Sequence, residues 1–226
     1  MNRLALFLLL LVIAAVGGLL LIGLSYPVKD LATETYKSLL QLVVVAVAGH
    51  VVSILITKAN NERQDLLRAD ELRNDLLSRL NKCYVDVKKV RRVIRATAHK
   101  VAEAETQQLY IDKTRFHDFL QAINETQLEL ELLSKDVESN KRLFIDAKAL
   151  TDRLDSMEEY LNTIIDEYEH SSVKVVKKPA NCYFLEEFEK LSDLVGEYRT
   201  SDFRTEFVHK YYASLESIRN AFVIRS

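Results

Sequence analysis

The sequence has very little glycine and proline, and this scarcity limits the folds that it can adopt. Its 226 residues include five glycines and two prolines, and beyond residue 57 only Gly196 and Pro179 remain. Sheet-rich folds need many tight turns, which recruit glycine, proline and asparagine. Their near absence predicts a few long helices. It also excludes the glycine-rich phosphate loops of nucleotide-binding proteins.

Tryptophan and cysteine are scarce as well. Tryptophan is absent, so one common anchor at membrane surfaces is missing. The two cysteines, Cys83 and Cys182, are too few and too far apart for a disulfide framework or for zinc-finger spacing. We expect reduced structural thiols, with Cys83 packed as a small hydrophobe. The net charge of −2 gives no overall attraction to nucleic acid, and no nucleic-acid partner is expected.

Two apolar runs lie near the N-terminus. Leu4 to Leu24 contains no charged residue and is long enough for about 30 Å of helix. The second run, Leu39 to Ile56, follows a short polar link. A cleaved signal peptide would need a shorter apolar core and a small-x-small cleavage site, which Leu24-Ser25-Tyr26-Pro27 does not provide. Residues 1–57 are therefore predicted to form a transmembrane hairpin, with spans at about 4–24 and 38–57.

Basic residues flank the two runs unevenly. The link between the runs has two lysines balanced by two acidic residues, whereas Arg3 precedes the first run. Four basic residues follow the second run: Lys58, Arg63, Arg68 and Arg73. The positive-inside rule then predicts a bacterial inner-membrane protein with both termini in the cytoplasm.

Two polar side chains, Gln41 and His50, lie well inside the second run. Intramembrane ionisable residues are functional candidates by default. A lone histidine without an acidic partner makes a poor proton path, so a hydrogen bond to a neighbouring helix or subunit is the favoured interpretation. Both residues are kept as candidate intramembrane polar positions.

The remaining residues, 58–226, have the periodicity of a helical bundle. Apolar or small residues recur in steps of three and four from Leu66 to Val101, along a long stalk helix predicted at about 58–103. Further helices are predicted at about 112–139, 141–169, 183–195 and 202–223, separated by a break near Ala104–Ile111 and a loop at Ser171–Asn181. Expected caps are Asp112, Gly196, and Ser201 or Asp202.

The helix predicted at 141–169 has the clearest seam, with steps that alternate between four and three residues. Its members are Leu143, Ala147, Leu150, Leu154, Met157, Leu161, Ile164 and Tyr168. The predicted fold class is all-α: a two-helix transmembrane hairpin, then a long stalk helix and an antiparallel cytoplasmic helical bundle.

The most basic run of the chain lies in the stalk helix. Its five cations form a candidate interaction surface: Lys88, Lys89, Arg91, Arg92 and Arg95. Residues 58–100 have a net charge of +6, and residues 101–170 have a net charge of −10. The run therefore has three possible partners, which are the acidic helices of the same chain, another protein, or lipid and nucleic acid.

Distance and composition favour the first of these partners. A straight helix places Lys88 roughly 45 Å beyond Lys58, whereas screening confines attraction to lipid headgroups to about 10 Å. Exposed aromatic residues for nucleic-acid binding are not interleaved with the run. We therefore expect Arg91, Arg92 and Arg95 to face acidic side chains of the second and third helices.

Two Glu-x-x-His pairs, Glu167 with His170 and Glu206 with His209, are the one metal-like pattern. Helical di-iron proteins use two such pairs that project inward, together with two further glutamates. Here the apolar residues that mark the buried side of each helix place both pairs outside that side, so they do not project inward. No metal, cofactor or catalytic residue is therefore predicted. An enzyme is accordingly not expected.

Residues 77–96 and 123–131 contain a Tyr-x-x-Val-Lys-x-x-Arg-Arg core and an Asn-x-x-Gln-Leu-Glu segment. Together they resemble an uncharacterised group of bacterial membrane-anchored helical proteins with two N-terminal spans and a cytoplasmic helical domain. The resemblance implies no known activity. In architecture alone, the chain also looks like SLATT-type effectors of bacterial conflict systems.

These observations favour a membrane-anchored scaffold or protein-interaction module that is not an enzyme. Its expected partners are the lipid bilayer, a second copy in a homo-oligomer and an unknown protein. The alternative is a two-span membrane-perturbing effector of a bacterial defence system, controlled by its cytoplasmic bundle.

Overall fold

The computed structural model describes residues 31–103, 106–171 and 182–221, and most of these residues are helical. The α-helices among them are α1 (Leu31–Thr97), α2 (Lys113–Ser139), α3 (Ala147–Ser171), α4 (Glu189–Val195) and α5 (His209–Asn220). The prediction of a mainly helical chain is thus confirmed. The first predicted span, Leu4–Leu24, and most of the loop predicted at Ser171–Asn181 lie outside the described residues.

The chain forms two compact units, with the boundary between Leu67 and Arg68. In the first unit, the most apolar window of α1 has a mean hydropathy of 2.1 and is long enough to cross a membrane. None of the side chains described between Gln41 and Thr57 is buried. Among residues 31–103, 106–171 and 182–221, one helix could therefore span a bilayer by length and composition.

A small antiparallel sheet in the second unit is a feature that the sequence pattern does not predict. Its strands are β1 (His99–Glu103), β2 (Thr106–Asp112) and β3 (Cys182–Phe184), in the spatial order β1-β2-β3. Tyr110 pairs with Phe184, and Ile111 pairs with Tyr183. The predicted stalk limit at residue 103 is wrong because the backbone after Thr97 bonds to a second strand instead of continuing the helix.

The helix starts differ in how well they match the predicted caps. Asp112 caps α2 as expected, since its Oδ1 accepts bonds from the backbone N–H groups of Thr114 (3.0 Å) and Arg115 (3.4 Å). The helix predicted at 141–169 begins with a 3₁₀ turn, Lys141–Leu143, and α3 starts only at Ala147. The helix predicted at 183–195 consists of β3, a 3₁₀ turn (Leu185–Glu187) and α4.

The helix predicted at 202–223 also departs from a regular α-helix. Its first turns, Phe203–Val208, are π-helical and continue into α5. The carboxylate that caps them belongs to Asp193, which accepts bonds from the N–H groups of Asp202 (3.1 Å) and Phe203 (3.2 Å). The prediction of Ser201 or Asp202 as this cap is therefore wrong, because a carboxylate from α4 reaches the same donors.

Apolar side chains from all five helices meet in the core of the second unit. The predicted seam of α3 is confirmed, since its central members from Leu150 to Ile164 are at most 1% exposed. The seam of α1 is buried from Ala69 to Ile94, whereas Leu66 is 63% exposed. The largest fully buried rings belong to Phe116, Phe188, Phe203 and Phe207.

Candidate functional site

The five cations of the predicted interaction surface lie in the stalk segment, which we define as residues 68–97 of α1. Arg91 points toward the C-terminal end of α4. Its Nε donates to the carbonyl oxygen of Leu194 at 2.7 Å, and its Nη2 donates to that of Gly196 at 2.8 Å. Arg91 thus binds backbone carbonyls, and the prediction that it faces acidic side chains is wrong.

The end of α4 explains why Arg91 takes this position. The last carbonyl groups of a helix have no partner within the helix and carry partial negative charge, which a cation satisfies. The guanidinium also lies 5.7 Å from the ring centroid of Tyr198 and 5.8 Å from that of Phe203. Burial and the neighbouring Arg95 lower the pKa of Arg91. Arg91 is therefore a structural residue of the second unit.

Gly196 follows α4 at the same helix end. A glycine is required there because a side chain would collide with the backbone, and not because the backbone angle φ is unusual. Its φ of −65° is accessible to any residue. A Cβ built on it would lie 2.9 Å from the backbone oxygen of Ser192, too close for a side chain. The glycine predicted as a cap therefore lets the chain leave α4 and turn its own carbonyl toward Arg91.

Lys88 lies against aromatic residues on the other flank of the stalk segment. Its Nζ donates to Tyr84 Oη at 2.9 Å and lies 4.8 Å from the centroid of the Tyr84 ring. Tyr84 is stacked on Tyr211 with centroids 4.0 Å apart, and its hydroxyl lies 3.2 Å from that of Tyr212. Lys88 is thus half-buried and fixes this cluster of tyrosines between α1 and α5.

The other three cations of the run point into solvent. Lys89, Arg92 and Arg95 are exposed, and no ion pair joins them to another of the described residues. Arg92 and Arg95 therefore do not make the internal pairs that the charge blocks predict. Val85 lies in the same face and is 57% exposed. Together with Lys89 and Arg92 it lines a depression of about 530 Å³.

A different cation, Arg79, forms the ion pairs between the stalk segment and the acidic residues of α2. Its Nε lies 2.5 Å from Glu129, and its Nη1 lies 2.6 Å from Asp136 and 3.2 Å from Asp75. Partial burial alone would lower the pKa of Arg79, but these hydrogen bonds outweigh burial and raise it. Because α2 runs antiparallel to the stalk segment, its acidic C-terminal half lies beside Arg79 and not beside the basic run.

An open groove of about 550 Å³ separates the stalk segment from α2. Its lining is apolar in the middle, with Cys83, Val90 and Phe119 among the contributing residues, and charged along both edges. The edge on the stalk segment has Lys82, Asp86 and Lys89, and the edge on α2 has Asp118, Glu125 and Glu129. One edge is thus mainly basic and the other is acidic.

Cys83 lies in this groove, but its chemistry does not suit a nucleophile. Burial, followed by the charges of Glu129 and Asp86, raises the pKa of the Cys83 thiol to about 12. The thiolate is the reactive form of cysteine, and it is scarce at neutral pH when the pKa is this high. The groove is thus suited to packing of side chains and charge contacts.

The outer face of α2 is also uncovered. Leu128 and Leu132 are 47% and 51% exposed, and they follow the exposed residues Asp118, Gln121 and Glu125 in steps of three and four. Residues with this spacing share one helix face. The stalk segment repeats the pattern with Lys82, Val85, Lys89, Arg92 and Ala96, all of them exposed. Two amphipathic faces of opposite charge therefore border the groove.

The Glu-x-x-His residues have other roles in the structure. Glu167 Oε2 accepts bonds from the N–H groups of Lys190 (2.8 Å) and Leu191 (3.2 Å), and so caps α4. His170 donates from Nδ1 to a backbone carbonyl of its own helix. Glu206 forms an ion pair with Lys210 at 2.5 Å. Among the described residues, no three potential ligands cluster as a metal site.

The candidate intramembrane residues belong to the first unit. Gln41 is exposed and His50 is half-buried in the apolar part of α1. Neither residue contributes to the groove of the second unit.

Comparison of the chain with known protein families, with functionally characterised proteins and with experimentally determined structures finds no match.

Proposed function

We propose that this protein is a membrane-anchored interaction module without enzymatic activity, which binds a helical protein surface through the groove and its two bordering faces. The observation that carries this proposal is the uncovered basic face with Lys89 and Arg92 beside the exposed Val85. The two bordering faces together expose Val85, Leu128 and Leu132 beside charges of both signs, and apolar patches rimmed by charged residues mark interaction sites.

The apolar part of α1 supports the membrane anchor. Large apolar side chains there are about half exposed or more, among them Leu42, Val45 and Leu55. Such a helix, apolar all round and without protein neighbours among the described residues, is stabilised by lipid. Placement in a bacterial inner membrane, with both termini in the cytoplasm, is the arrangement that the flanking basic residues favour.

The interaction is tested by photo-crosslinking with the full chain in its membrane. A photoreactive amino acid replaces Val85 or Leu128, one on each of the two faces that border the groove, or Ile145, an exposed apolar residue outside both faces, as the control. We expect crosslinked protein from the two face positions and none from Ile145. Absence of any protein crosslink at both face positions, in every growth condition tried, would contradict the proposal.

The second candidate function is a membrane-perturbing effector, and the polar residues of the apolar segment are the observation that favours it. Gln41 and His50 are accessible on α1, as side chains that line a conducting path would be. This function predicts that induction collapses the membrane potential, and that His50→Leu together with Gln41→Leu abolishes the collapse. If induced cells keep their potential under all triggers tried, the effector function is excluded.

A further inference from the structure

We infer that the partner in the groove is a second copy of this chain, bound so that the basic face of each copy covers the acidic face of the other. This inference rests on the proposed function and deepens it. The basic face consists of Lys82, Val85, Lys89 and Arg92, and the acidic face consists of Asp118, Gln121, Glu125, Leu128 and Leu132.

The first argument is charge complementarity within one and the same surface. The basic face has three cations and one exposed valine, and the acidic face has two carboxylates and two exposed leucines. A surface with both a positive and a negative face is complementary to itself after a two-fold rotation, which is the commonest symmetry of protein dimers. A phosphate-rich ligand would cover the cations and leave the carboxylates of the adjacent face repelled by it.

The second argument is the register. Within one copy, Arg79 lies beside Glu129 and Asp136, and Val90 lines the groove with Phe119, so the stalk segment and α2 are antiparallel. If the same antiparallel register is used between copies, Lys89 and Arg92 lie near Glu125 and Asp118, and Val85 lies near Leu128. Two of the three cations then face carboxylates and Val85 faces a leucine, while Lys82 lies near Leu128 and Leu132.

The third argument is geometric. With a two-fold axis parallel to the stalk segment, the two stalk segments and the two α2 helices form a four-helix bundle in which every neighbouring pair is antiparallel. Arg68, the first residue of the second unit, then lies at the same end of the bundle in both copies. Two copies held by one membrane need this parallel arrangement of stalk segments.

The test uses two differently tagged copies of the full chain, co-expressed in a bacterial membrane. One copy has Val85→Cys, the other has Leu128→Cys, and a short thiol-reactive crosslinker joins them. The partly exposed native Cys182 is replaced by serine in both copies, and buried Cys83 contributes little background because its thiol is inaccessible. The control pair combines Val85→Cys with Ile145→Cys, an exposed residue outside both faces. We expect the crosslinked product from the first pair and not from the control.

Charge exchange then separates contact through these faces from association through the apolar segments. The first exchange makes the basic face acidic by Lys89→Glu and Arg92→Glu, and the second makes the acidic face basic by Asp118→Lys and Glu125→Lys. Either exchange made in both copies juxtaposes like charges, and we expect the crosslink to fall about tenfold or more. One copy with the first exchange and one with the second restores complementarity, and the crosslink should recover.

Three results would overturn the inference: no crosslink above the control pair, a crosslink that ignores the exchanges, or a loss that the mixed pair does not restore. The proposed function fails separately. If Val85 photo-crosslinks to a different protein while the two copies do not crosslink, the interaction module stands and the second copy is excluded as its partner.

Discussion

Replacing Arg91 by alanine should destabilise α4, whereas replacing its neighbour Arg92 should not. Arg91 provides the bonds to Leu194 and Gly196, and it lies over two rings. Arg92 is exposed and forms no ion pair with a described residue. The two variants remove the same side chain from adjacent positions of one helix, so they form a matched pair.

The magnitude follows from the contacts of Arg91. A partly buried hydrogen bond from a charged donor contributes about 1.5–3 kcal/mol, and we use the lower half of this range because the guanidinium is partly wetted. The bond to Gly196 is exposed and adds little, and the cation–π contacts add about 0.5–1 kcal/mol. The expected cost of Arg91→Ala is about 2–3 kcal/mol. Arg92→Ala should stay within about 0.5 kcal/mol of the unmodified chain.

Hydrogen exchange of backbone amides in the full chain measures this difference locally. Since about 1.4 kcal/mol corresponds to a tenfold change, Arg91→Ala should speed exchange in Glu189–Val195 by about 30- to 150-fold. Peptides from the first unit should exchange as before and serve as an internal reference. Equal effects of the two substitutions, or unchanged protection of α4 in Arg91→Ala, would refute the assignment of Arg91 as the residue that completes this helix end.

Four further predictions concern other positions of the second unit. Arg79→Met should destabilise the second unit by about 1–3 kcal/mol in urea unfolding followed by tyrosine fluorescence, because two carboxylates of α2 lose their shared cation. Gly196→Ala should cost about 1–2 kcal/mol in the same assay, because its Cβ would lie 2.9 Å from a backbone oxygen. At pH 8.5 iodoacetamide should modify Cys182, which is partly exposed, and leave the buried Cys83 unmodified until the chain is denatured. The raised pKa also gives a pH dependence: Cys83 stays protonated in the folded state, so its contribution to stability is complete below pH 9.0 and decreases between 9.0 and about 12.

The two substitutions and the alkylation each have an outcome that would contradict the prediction. Arg79→Lys, which keeps the positive charge, is the control for Arg79→Met. If the two variants are equally stable, the ion pairs contribute nothing beyond the packing of the aliphatic part of the side chain. An unchanged unfolding midpoint for Gly196→Ala would show that the chain after α4 shifts without cost. Rapid alkylation of Cys83 in the native chain would show that the groove opens enough to expose its thiol.

The helical seams could be predicted from the sequence because burial repeats with the helical period. The α3 seam from Leu150 to Ile164 and the α1 seam from Ala69 to Ile94 follow the positions that the pattern indicates. The cap of α2 could also be predicted from the sequence, because Asp112 precedes an amphipathic run and bonds to N–H groups only two and three residues away. Local interactions of this kind leave a signal in a short window of sequence.

The sheet could not be predicted in this way, because its third strand lies far along the chain. Residues 99–112 have neither the strict alternation nor the Asn-Gly type of turn that reveals a hairpin. The backbone of Cys182–Phe184 pairs with β2 and helps to hold it in an extended conformation. A short window of sequence around β2 does not contain these residues. The β-forming residues Tyr110 and Ile111 were the one available sign.

The partners of the basic run were mispredicted for a related reason. Net charges of +6 and −10 describe whole blocks and carry no information about which flank of a helix a residue occupies. Position 91 is one residue beyond the buried Val90 and so faces the neighbouring α4, while positions 89 and 92 lie on the outer side. The antiparallel course of α2 then gives the acidic partners to Arg79, twelve residues earlier in α1.

The long separation between β2 and β3 has a consequence for the order of events during synthesis. Asp112 pairs with Cys182, so seventy residues must be added after the hairpin before its second edge acquires a partner. At roughly 5–20 residues per second, the ribosome takes about 4–14 s to add them. During that interval β2 offers unpaired backbone groups to any other extended chain, which is the situation that chaperones protect against. The nascent protein is thus most exposed to mispairing while α2 and α3 are being made, before its last fifth has been translated.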